Sequence, residues 1–159
     1  FVCLLQISTV SKDYLIDGLT LHQSIHHYLS HIFSSHKIKK VFHGCDNDLK
    51  WLKCNFEIDV VNLYDTSKAY MIIENTKVPC SLSFLTKTYL GYQLDKSYQK
   101  ADWRIRPLPK AMLDYARIDA SILLFLCLYL GAFVDILIFS FGSESYTLVL
   151  LFLFLPLSI

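Results

Sequence analysis

The sequence has almost no surplus charge. Its 159 residues include 15 lysines and arginines against 14 aspartates and glutamates, which gives a formal net charge of +1. A chain without a strong positive field does not attract polyanions from a distance, so any contact with nucleic acid must be local. Charged residues make up only 18% of the chain, compared with about 25% in a typical soluble domain.

The usual metal-binding, disulfide and nucleotide-binding patterns are also missing. The histidine pairs His22/His26 and His27/His31 have helical spacing, but no carboxylate or cysteine stands near them at ligand spacing. No Gly-rich nucleotide loop, P-loop or serine-nucleophile motif occurs. The cysteines lack C-x-x-C spacing, and we interpret them as reduced thiols of an intracellular protein, without a zinc site or disulfide framework. They are Cys3, Cys45, Cys54, Cys80 and Cys127.

The N-terminal stretch FVCLLQIST lacks the methionine and the basic region that begin a signal peptide. It reads as if it started in the middle of a strand. We therefore expect the sequence to be a fragment or an incomplete gene model. Its length gives room for one domain with its own core.

Hydrophobic periodicity predicts a mixed α/β domain with parallel strands late in the chain. Asp65-Thr66 and Ser81 are helix-start signals, and Gly91 is a stop signal. The strands are predicted at 2–8 and 14–17, which form a hairpin, and at 39–43 and 59–64. The helices are predicted at 20–35, 46–56, 67–73 and 82–90, and from Pro109 to about Leu130.

Asp48 follows the stretch VFHGCD, in which a short buried strand ends at a glycine. Strand ends of this kind open onto the ligand crevice of α/β sheets. One interpretation is that Asp46 or Asp48 only caps the helix. The other is that Asp46 caps the helix while Asp48 faces the crevice. Position alone favours the first.

Tyr115 and Asp119 are four residues apart in an apolar helical run. Residues at i and i+4 share one face of a helix, about 5–6 Å apart at Cβ. The carboxylate can bind a hard cation such as Mg²⁺, and the phenol can hydrogen-bond a metal-bound water. An ordinary Tyr–Asp hydrogen bond is the more common explanation of this spacing.

Several cationic residues are candidates for contact with phosphate. Lys100, Arg104 and Arg106 surround Trp103, and the planar guanidinium of arginine binds two phosphate oxygens at once. A solvated loop with a tryptophan anchor explains the same composition and is favoured by it. His43, at a strand end, is a further candidate, although a single histidine more often packs or hydrogen-bonds within the protein.

Five separate phrases together resemble a known family, the DEDDy 3′–5′ exonucleases of the RNase D type. The subgroup that they resemble most is the catalytic exonuclease subunit associated with the nuclear RNA exosome. The phrases occur in the family's order and cover roughly residues 1–130, and the first and fourth are the most specific for the subgroup. They are VFHGCDNDLKWL (41–52), VVNLYDT (60–66), SLSFL (81–85), YQKADWRIRPLP (98–109) and YARID (115–119).

The resemblance implies an RNase H-like (DnaQ-like) fold, a mixed sheet flanked by helices. It also implies two divalent metal ions, Mg²⁺ or Mn²⁺, held by four acids. By motif, Asp48 would be the third acid, Asp119 the fourth, and Tyr115 the residue that orients the attacking water. Asp65 matches a further family position, to which we assign helix capping and support of the site.

The sequence departs from the family at its first motif. The first two acids of the family belong to a D-x-E on the first strand, and no D-x-E precedes VCLLQIST in this chain. Without that strand we expect two of four metal ligands to be lost and two sheet edges to be left unpaired. We therefore predict a chain that is inactive or nearly so. The alternative is a non-catalytic RNA-binding or exosome-binding remnant of the fold.

The C-terminal segment departs from the family as well. We divide the chain into an exonuclease domain at 1–130, incomplete at its N-terminus, and an apolar tail at 131–159. From Ser121 onward the only charged residues are Asp135 and Glu144. The tail is interpreted as a translated intron or a spliced variant end in preference to a membrane anchor, although the stretch 121–141 is long enough to span a bilayer.

The resemblance also implies partners and a location. Single-stranded RNA 3′ ends would be the substrates, and ribosomal and small nucleolar RNA precursors are examples in the family. The nuclear exosome would be a partner. The expected location is the nucleus, in particular the nucleolus. RNA rather than DNA as the substrate rests on the subgroup alone.

Overall fold

A computed structural model describes residues 1–137 and 147–154 of the chain, with side chains described as far as residue 130. Its strands are β1 (Leu4–Ser8), β2 (Asp13–Asp17), β3 (Ile38–Phe42), β4 (Leu63–Asp65) and β5 (Thr147–Phe154). Its helices are α1 (His22–Phe33), α2 (Asp46–Phe56), α3 (Thr66–Ile73), α4 (Leu82–Leu90) and α5 (Lys110–Leu137). The mixed α/β architecture predicted from periodicity is confirmed.

The strands form one mixed sheet in the order β2-β1-β5-β3-β4. β1 pairs antiparallel with β2, as the hairpin prediction required, and it pairs antiparallel with β5 on its other side. β3 pairs parallel with both β4 and β5. The expectation that β1 and β3 would have unpaired edges is therefore wrong, because the C-terminal strand β5 lies between them.

Alternation along β1 directs its side chains to two different cores. Leu5 and Ile7 lie in an apolar cluster with residues of α1 and α2, among them Phe33 and Leu52. Leu4 faces the opposite way and packs with residues around the start of α5. Helices α1 and α2 therefore cover one face of the sheet, and α5 covers the other.

Helix α5 is longer than its sequence signals indicated. The helix was predicted to end near Leu130, but it continues to Leu137. Gly131 does not stop it, because residues 132–137 include no proline. None of the helices in the described part of the chain meets the length and hydropathy that a bilayer crossing requires.

Strand β4 is shorter than predicted and begins at Leu63 rather than at residue 59. Asn62 has a φ of 54°, in the left-handed region, where a strand cannot continue. Its side-chain amide donates a hydrogen bond to the carbonyl oxygen of His36 at 2.8 Å. This local turn places Asp65 at the end of β4, immediately before α3.

Candidate active site

The carboxyl end of β3 leads directly into helix α2 and to the first candidate acid. Gly44 has a φ of 64°, a left-handed conformation that glycine adopts without strain. The chain turns there, and Asp48 lies in the first turn of α2 with its side chain partly buried. Burial, together with the neighbouring charge of Asp65, raises the pKa of the Asp48 carboxyl to about 7.

Asp65 is the residue that fixes this end of α2. Its carboxylate accepts hydrogen bonds from the backbone amides of Gly44 and Cys45, each at 3.0 Å. It also caps α3 by accepting from the amide of Ser67 at 2.8 Å. Burial opposes the charge of Asp65, but these backbone hydrogen bonds outweigh it and lower the pKa of the carboxyl. The expected capping role of Asp65 is thus confirmed for α3.

Asp46 does not have the capping role that position suggested. The N-cap of α2 is Cys45, and it makes no side-chain capping bond. The side chain of Asp46 is exposed and lies 3.6 Å from the ammonium of Lys68. Asp65 supplies the missing acceptor from a strand 20 residues further along the chain, a role that local sequence signals do not reveal.

Tyr115 and Asp119 lie together on the face of α5 that packs on the sheet. Tyr115 is 9% exposed and Asp119 is 7% exposed, and the Tyr115 hydroxyl donates a hydrogen bond to the Asp119 carboxylate. Burial raises the pKa of Asp119 to about 6, although the hydrogen bond from Tyr115 lowers it. Burial and the Asp119 charge raise the pKa of Tyr115 above its ordinary value.

Two aromatic side chains hold the Tyr115 ring in place. The ring of Tyr98 meets it edge-on with centroids 5.8 Å apart, and the ring of Trp103 lies 6.1 Å away at 39°. Trp103 is 1% exposed and donates its indole N–H to the carbonyl oxygen of Tyr98 at 3.2 Å. The proposed anchoring role of Trp103 in the core is confirmed, and the anchor contacts Tyr115 directly.

Arg106 uses all of its donor groups within the protein. Its guanidinium forms a bidentate pair with Asp17, at 2.7 and 2.8 Å. The remaining N–H groups donate to the carbonyl oxygens of Cys3, Trp103 and Ile105. In this conformation no donor is left for a phosphate, and Arg106 instead joins the segment that carries Trp103 to β1 and β2.

The other cationic candidates differ in their exposure and in their bonding partners. Lys100 is exposed, and Arg104 is exposed but bidentate to Asp102, with contacts of 2.7 and 2.9 Å. His43 lies between Thr66 Oγ1 at 2.9 Å and the Cys80 carbonyl at 3.0 Å. Burial lowers the pKa of His43, so its ring is neutral near pH 7. The neutral ring donates through Nε2 to the Cys80 carbonyl.

The described residues do not form a complete metal site. Within residues 1–137 and 147–154, no cluster of three or more histidine, cysteine, aspartate or glutamate side chains could hold an ion. Asp48 and Asp119 are carboxylates, the donor type that Mg²⁺ and Mn²⁺ prefer, but two such groups are too few for a pair of ions. The four-acid, two-metal arrangement implied by the resemblance therefore does not fit the side chains of the described residues.

Comparisons with known proteins identify relatives of this chain. Protein RRP6-like 1 of Arabidopsis thaliana is 48% identical over 124 residues, which is 78% of this chain and 19% of that protein. Exosome complex component 10 of Homo sapiens is 44% identical over 124 residues, covering 78% of this chain and 14% of the relative. The chain thus spans a fifth or less of the length of these relatives.

Solved structures show the same fold. The catalytic core of RRP6 from Trypanosoma brucei superposes with a TM-score of 0.78 at 37% identity, covering 84% of this chain and 36% of that one. RNase D of Escherichia coli, an exoribonuclease involved in structured RNA processing, gives a TM-score of 0.69 at 25% identity, with coverage of 84% and 36%. These neighbours confirm the RNase H-like fold that the five phrases implied.

The sequence profile of a 3′–5′ exonuclease family matches residues 1–135. This range contains Asp48, Tyr115 and Asp119, and it ends before β5. With most of the chain matched, and with RRP6-type relatives above 40% identity, the chain belongs to the 3′–5′ exonuclease family.

Proposed function

We propose that this chain is a 3′–5′ exoribonuclease-type domain that binds single-stranded RNA 3′ ends and hydrolyses them weakly or not at all. The observation that carries the proposal is the shortage of acidic ligands in the described residues. Asp48 and Asp119 are the two candidate acidic ligands, and the described residues contain no group of three or more histidine, cysteine, aspartate or glutamate side chains that could hold an ion. A two-metal phosphodiesterase needs more oxygen ligands to neutralise and position its ions.

The residues that are present suit recognition of an RNA end better than its cleavage. The raised pKa values of Asp48 and Asp119, about 7 and 6, mean that the two groups together carry less than two full negative charges near pH 7. The Tyr115 phenol stays protonated there, because its pKa is raised. It donates its proton to Asp119, and its oxygen remains able to accept a hydrogen bond from a water molecule.

RNA as the ligand is supported by relatives. One neighbour is the RNase D of Trypanosoma brucei solved in complex with the RNA U12, at 26% identity and a TM-score of 0.74. Among the cationic candidates, Lys100 has an exposed side chain and forms no ion pair within the described residues, so we propose it as a phosphate contact. Arg104 would contribute only after leaving Asp102, and His43 would support the site by positioning the loop at Cys80.

The setting of this activity is proposed from the relatives' names. Several are called exosome complex component 10, so we propose association with the exosome and a nuclear, including nucleolar, location. The substrates would be 3′ ends of nuclear RNAs such as ribosomal and small nucleolar precursors. Where hydrolysis does occur in a longer chain, further acids would complete a site for two divalent ions, Mg²⁺ or Mn²⁺.

The direct test is a pair of assays on one short RNA. A 5′-labelled 12-nucleotide oligouridylate would be incubated with the 159-residue chain and Mn²⁺, and its binding would be followed by anisotropy in EDTA. We expect saturable binding without shortening of the RNA. Metal-dependent shortening by the unmodified chain that disappears in Asp119→Asn would contradict the proposed inactivity.

A matched pair of lysine variants tests the RNA contact. Lys100→Ala should weaken binding of the oligouridylate severalfold, because it removes a phosphate partner near the site. Lys87→Ala removes the same charge from an exposed position on α4 and should leave binding close to that of the unmodified chain. Equal losses in both variants would reduce the role of Lys100 to a general effect of charge.

A further inference from the structure

A shallow groove opens between the end of α3 and the start of α4. Its free volume is about 290 Å³, at the lower limit of small-molecule sites. This space suits one or two side chains of a partner. The lining comes from α3, from the segment that connects the two helices and from α4, and it includes Tyr70, Val78, Pro79 and Phe84.

The apolar side chains of the groove are open to solvent. Val78 is 69% exposed and Phe84 is 46% exposed, although both belong to residue types that are most often buried. Pro79, next to Val78, is exposed as well. Single exposed apolar side chains are ordinary, but several that line one concave surface are typical of a binding site.

Hydrogen bonds fix the connecting segment in this shape. The Cys80 carbonyl accepts from the His43 ring at 3.0 Å, which ties the segment to the end of β3. The amide of Val78 donates to Thr76 Oγ1 at 3.2 Å, and the Ser81 side chain caps α4. The groove is therefore formed before a partner arrives, so little conformational entropy is lost when one binds.

The rim of the groove is basic. Lys77 precedes Val78 in the connecting segment, and Lys87 lies one turn after Phe84 on the exposed side of α4. Neither lysine forms an ion pair within the described residues. Glu74, the one acid between residues 66 and 90, accepts from the Tyr89 hydroxyl at 2.7 Å. An apolar groove with a positive rim complements an apolar side chain flanked by acids.

The arrangement of the aromatic rings favours a peptide over RNA at this groove. Single-stranded nucleic acids bind by stacking their bases on open aromatic faces. Tyr70 and Phe84 meet at 77°, with centroids 5.7 Å apart, so the edge of one ring lies against the face of the other. Val78 and Pro79 offer no aromatic face. An aliphatic side chain needs no flat partner and fits this lining better than a base does.

We propose that the groove is a docking site for a short acidic segment of another protein, which inserts an aliphatic side chain between Val78 and Phe84. Carboxylates on either side of the inserted side chain pair with Lys77 and Lys87. Burial of the apolar side chain supplies most of the affinity, whereas the exposed ion pairs select acidic partners. Docking requires neither a metal ion nor RNA, so it is independent of the proposed function.

The docking experiment uses the full 159-residue chain and a fluorescein-labelled peptide of sequence GDELLDEG. Anisotropy measures binding, and amide chemical shifts in NMR spectra locate it. We expect saturable binding that shifts the signals of Val78 and Phe84. Binding should weaken severalfold when NaCl is raised from about 0.1 M to about 1 M. A control peptide with serines in place of the leucines, GDESSDEG, should bind about tenfold more weakly or worse.

Two exposed aliphatic residues provide a matched pair of variants. Val78→Ser removes a lining side chain and should weaken binding of GDELLDEG about fivefold or more. Ile72→Ser removes a side chain of similar exposure, 71% against 69%, from outside the lining and should leave binding unchanged. Both side chains lie largely in solvent, so both variants should stay folded.

The lysine variants separate docking from the proposed RNA contact. Lys77→Ala and Lys87→Ala should each weaken binding of GDELLDEG about two- to threefold, because each removes an exposed ion pair. Lys100→Ala, which weakens binding of the oligouridylate under the proposed function, should leave binding of the peptide unchanged. A failure of the RNA prediction alone would therefore contradict the proposed function and not the docking site.

Four results would overturn the proposal. The first is the absence of saturable binding of GDELLDEG, or equal binding of the serine control. The second is an equal loss in Val78→Ser and Ile72→Ser. The third is displacement of the peptide by the oligouridylate together with weaker RNA binding in Val78→Ser, which would make the groove part of an RNA site. The fourth is self-association of the chain that Val78→Ser abolishes, which would assign the groove to a second copy.

Discussion

Residues 1–135 and the strand Thr147–Phe154 contribute to one sheet in different ways. The first region carries the family match, the candidate residues Asp48, Tyr115 and Asp119, and the buried polar residue Gln6. The second carries eight residues without a charge and closes the sheet between β1 and β3. Closing a sheet requires only backbone hydrogen bonds, whereas completing a metal site requires particular side chains. In this molecule the backbone of β5 closes the sheet, while its uncharged side chains supply no ligand for a metal ion.

The largest expected effect comes from breaking the central strand. Leu150 pairs with both Ser8 and Val41, so Leu150→Pro removes a ladder hydrogen bond at the centre of the sheet and should cost about 3 kcal/mol or more. Leu150→Val, which keeps the amide and suits a strand, should cost about 1 kcal/mol. Chemical denaturation followed by circular dichroism measures both. Equal stability of the two variants would show that β5 contributes little to the sheet.

A smaller effect is expected at the contact that holds the first region together. Arg106→Ala removes the bidentate bond to Asp17 and the bonds to three carbonyl groups, and should cost about 2–3 kcal/mol of unfolding free energy. Arg104→Ala removes a similar pair from an exposed site and should change stability little. The same denaturation experiment compares them, and similar losses would remove the distinction between the two arginines.

The loss of folding stability at acid pH should depend on the Arg106–Asp17 pair. The Arg106 hydrogen bonds lower the pKa of Asp17 from its ordinary value of 3.8, so the charged form is favoured in the folded state. The resulting stability is present above the unfolded pKa and is lost as pH falls through the folded pKa. We expect the unmodified chain to lose more stability below about pH 4 than Asp17→Asn does. Parallel curves for the two proteins would contradict this assignment.

Sequence reasoning succeeded where the controlling interactions are local. The hairpin of β1 and β2, the start of α3 at Asp65 and the end of α4 at Gly91 all follow from short-range signals. Arg106 was a candidate phosphate contact, and its bond to Asp17, 89 residues away in sequence, could not be predicted from local signals. Asp65 was recognised as a helix cap from its local sequence. Its hydrogen bonds to Gly44 and Cys45 depend on the pairing of β3 with β4, so local sequence signals could not predict them.

The position of β5 was beyond sequence reasoning for a different reason. A continuous apolar run such as TLVLLFLF has no two-residue alternation, so it indicates neither a face nor a register. Its partners are separated from it by more than 100 residues. Asp48, Tyr115 and Asp119 were found through their motifs, and their roles in metal binding and catalysis remain predictions.

The smallest expected effect concerns the unpartnered amide of Gln6. Gln6→Met keeps the length of the side chain and removes the buried oxygen that lacks a partner, at the expense of one 3.3 Å bond to Leu4. We expect unfolding free energy to be unchanged or to rise by up to about 1 kcal/mol. A marked loss of stability would show that Gln6 is satisfied beside β5.

The most direct test of the account is disulfide trapping of β5 between β1 and β3. Gln6→Cys with Phe152→Cys joins two paired positions, whose Cα separation in an antiparallel ladder suits a disulfide. Gln6→Cys with Leu151→Cys joins positions on opposite faces. Mild oxidation followed by peptide mapping should find the Gln6–Phe152 cross-link in the first variant and no corresponding cross-link in the second. Equal cross-linking in both folded variants, or none in the first, would contradict the placement of β5 between β1 and β3.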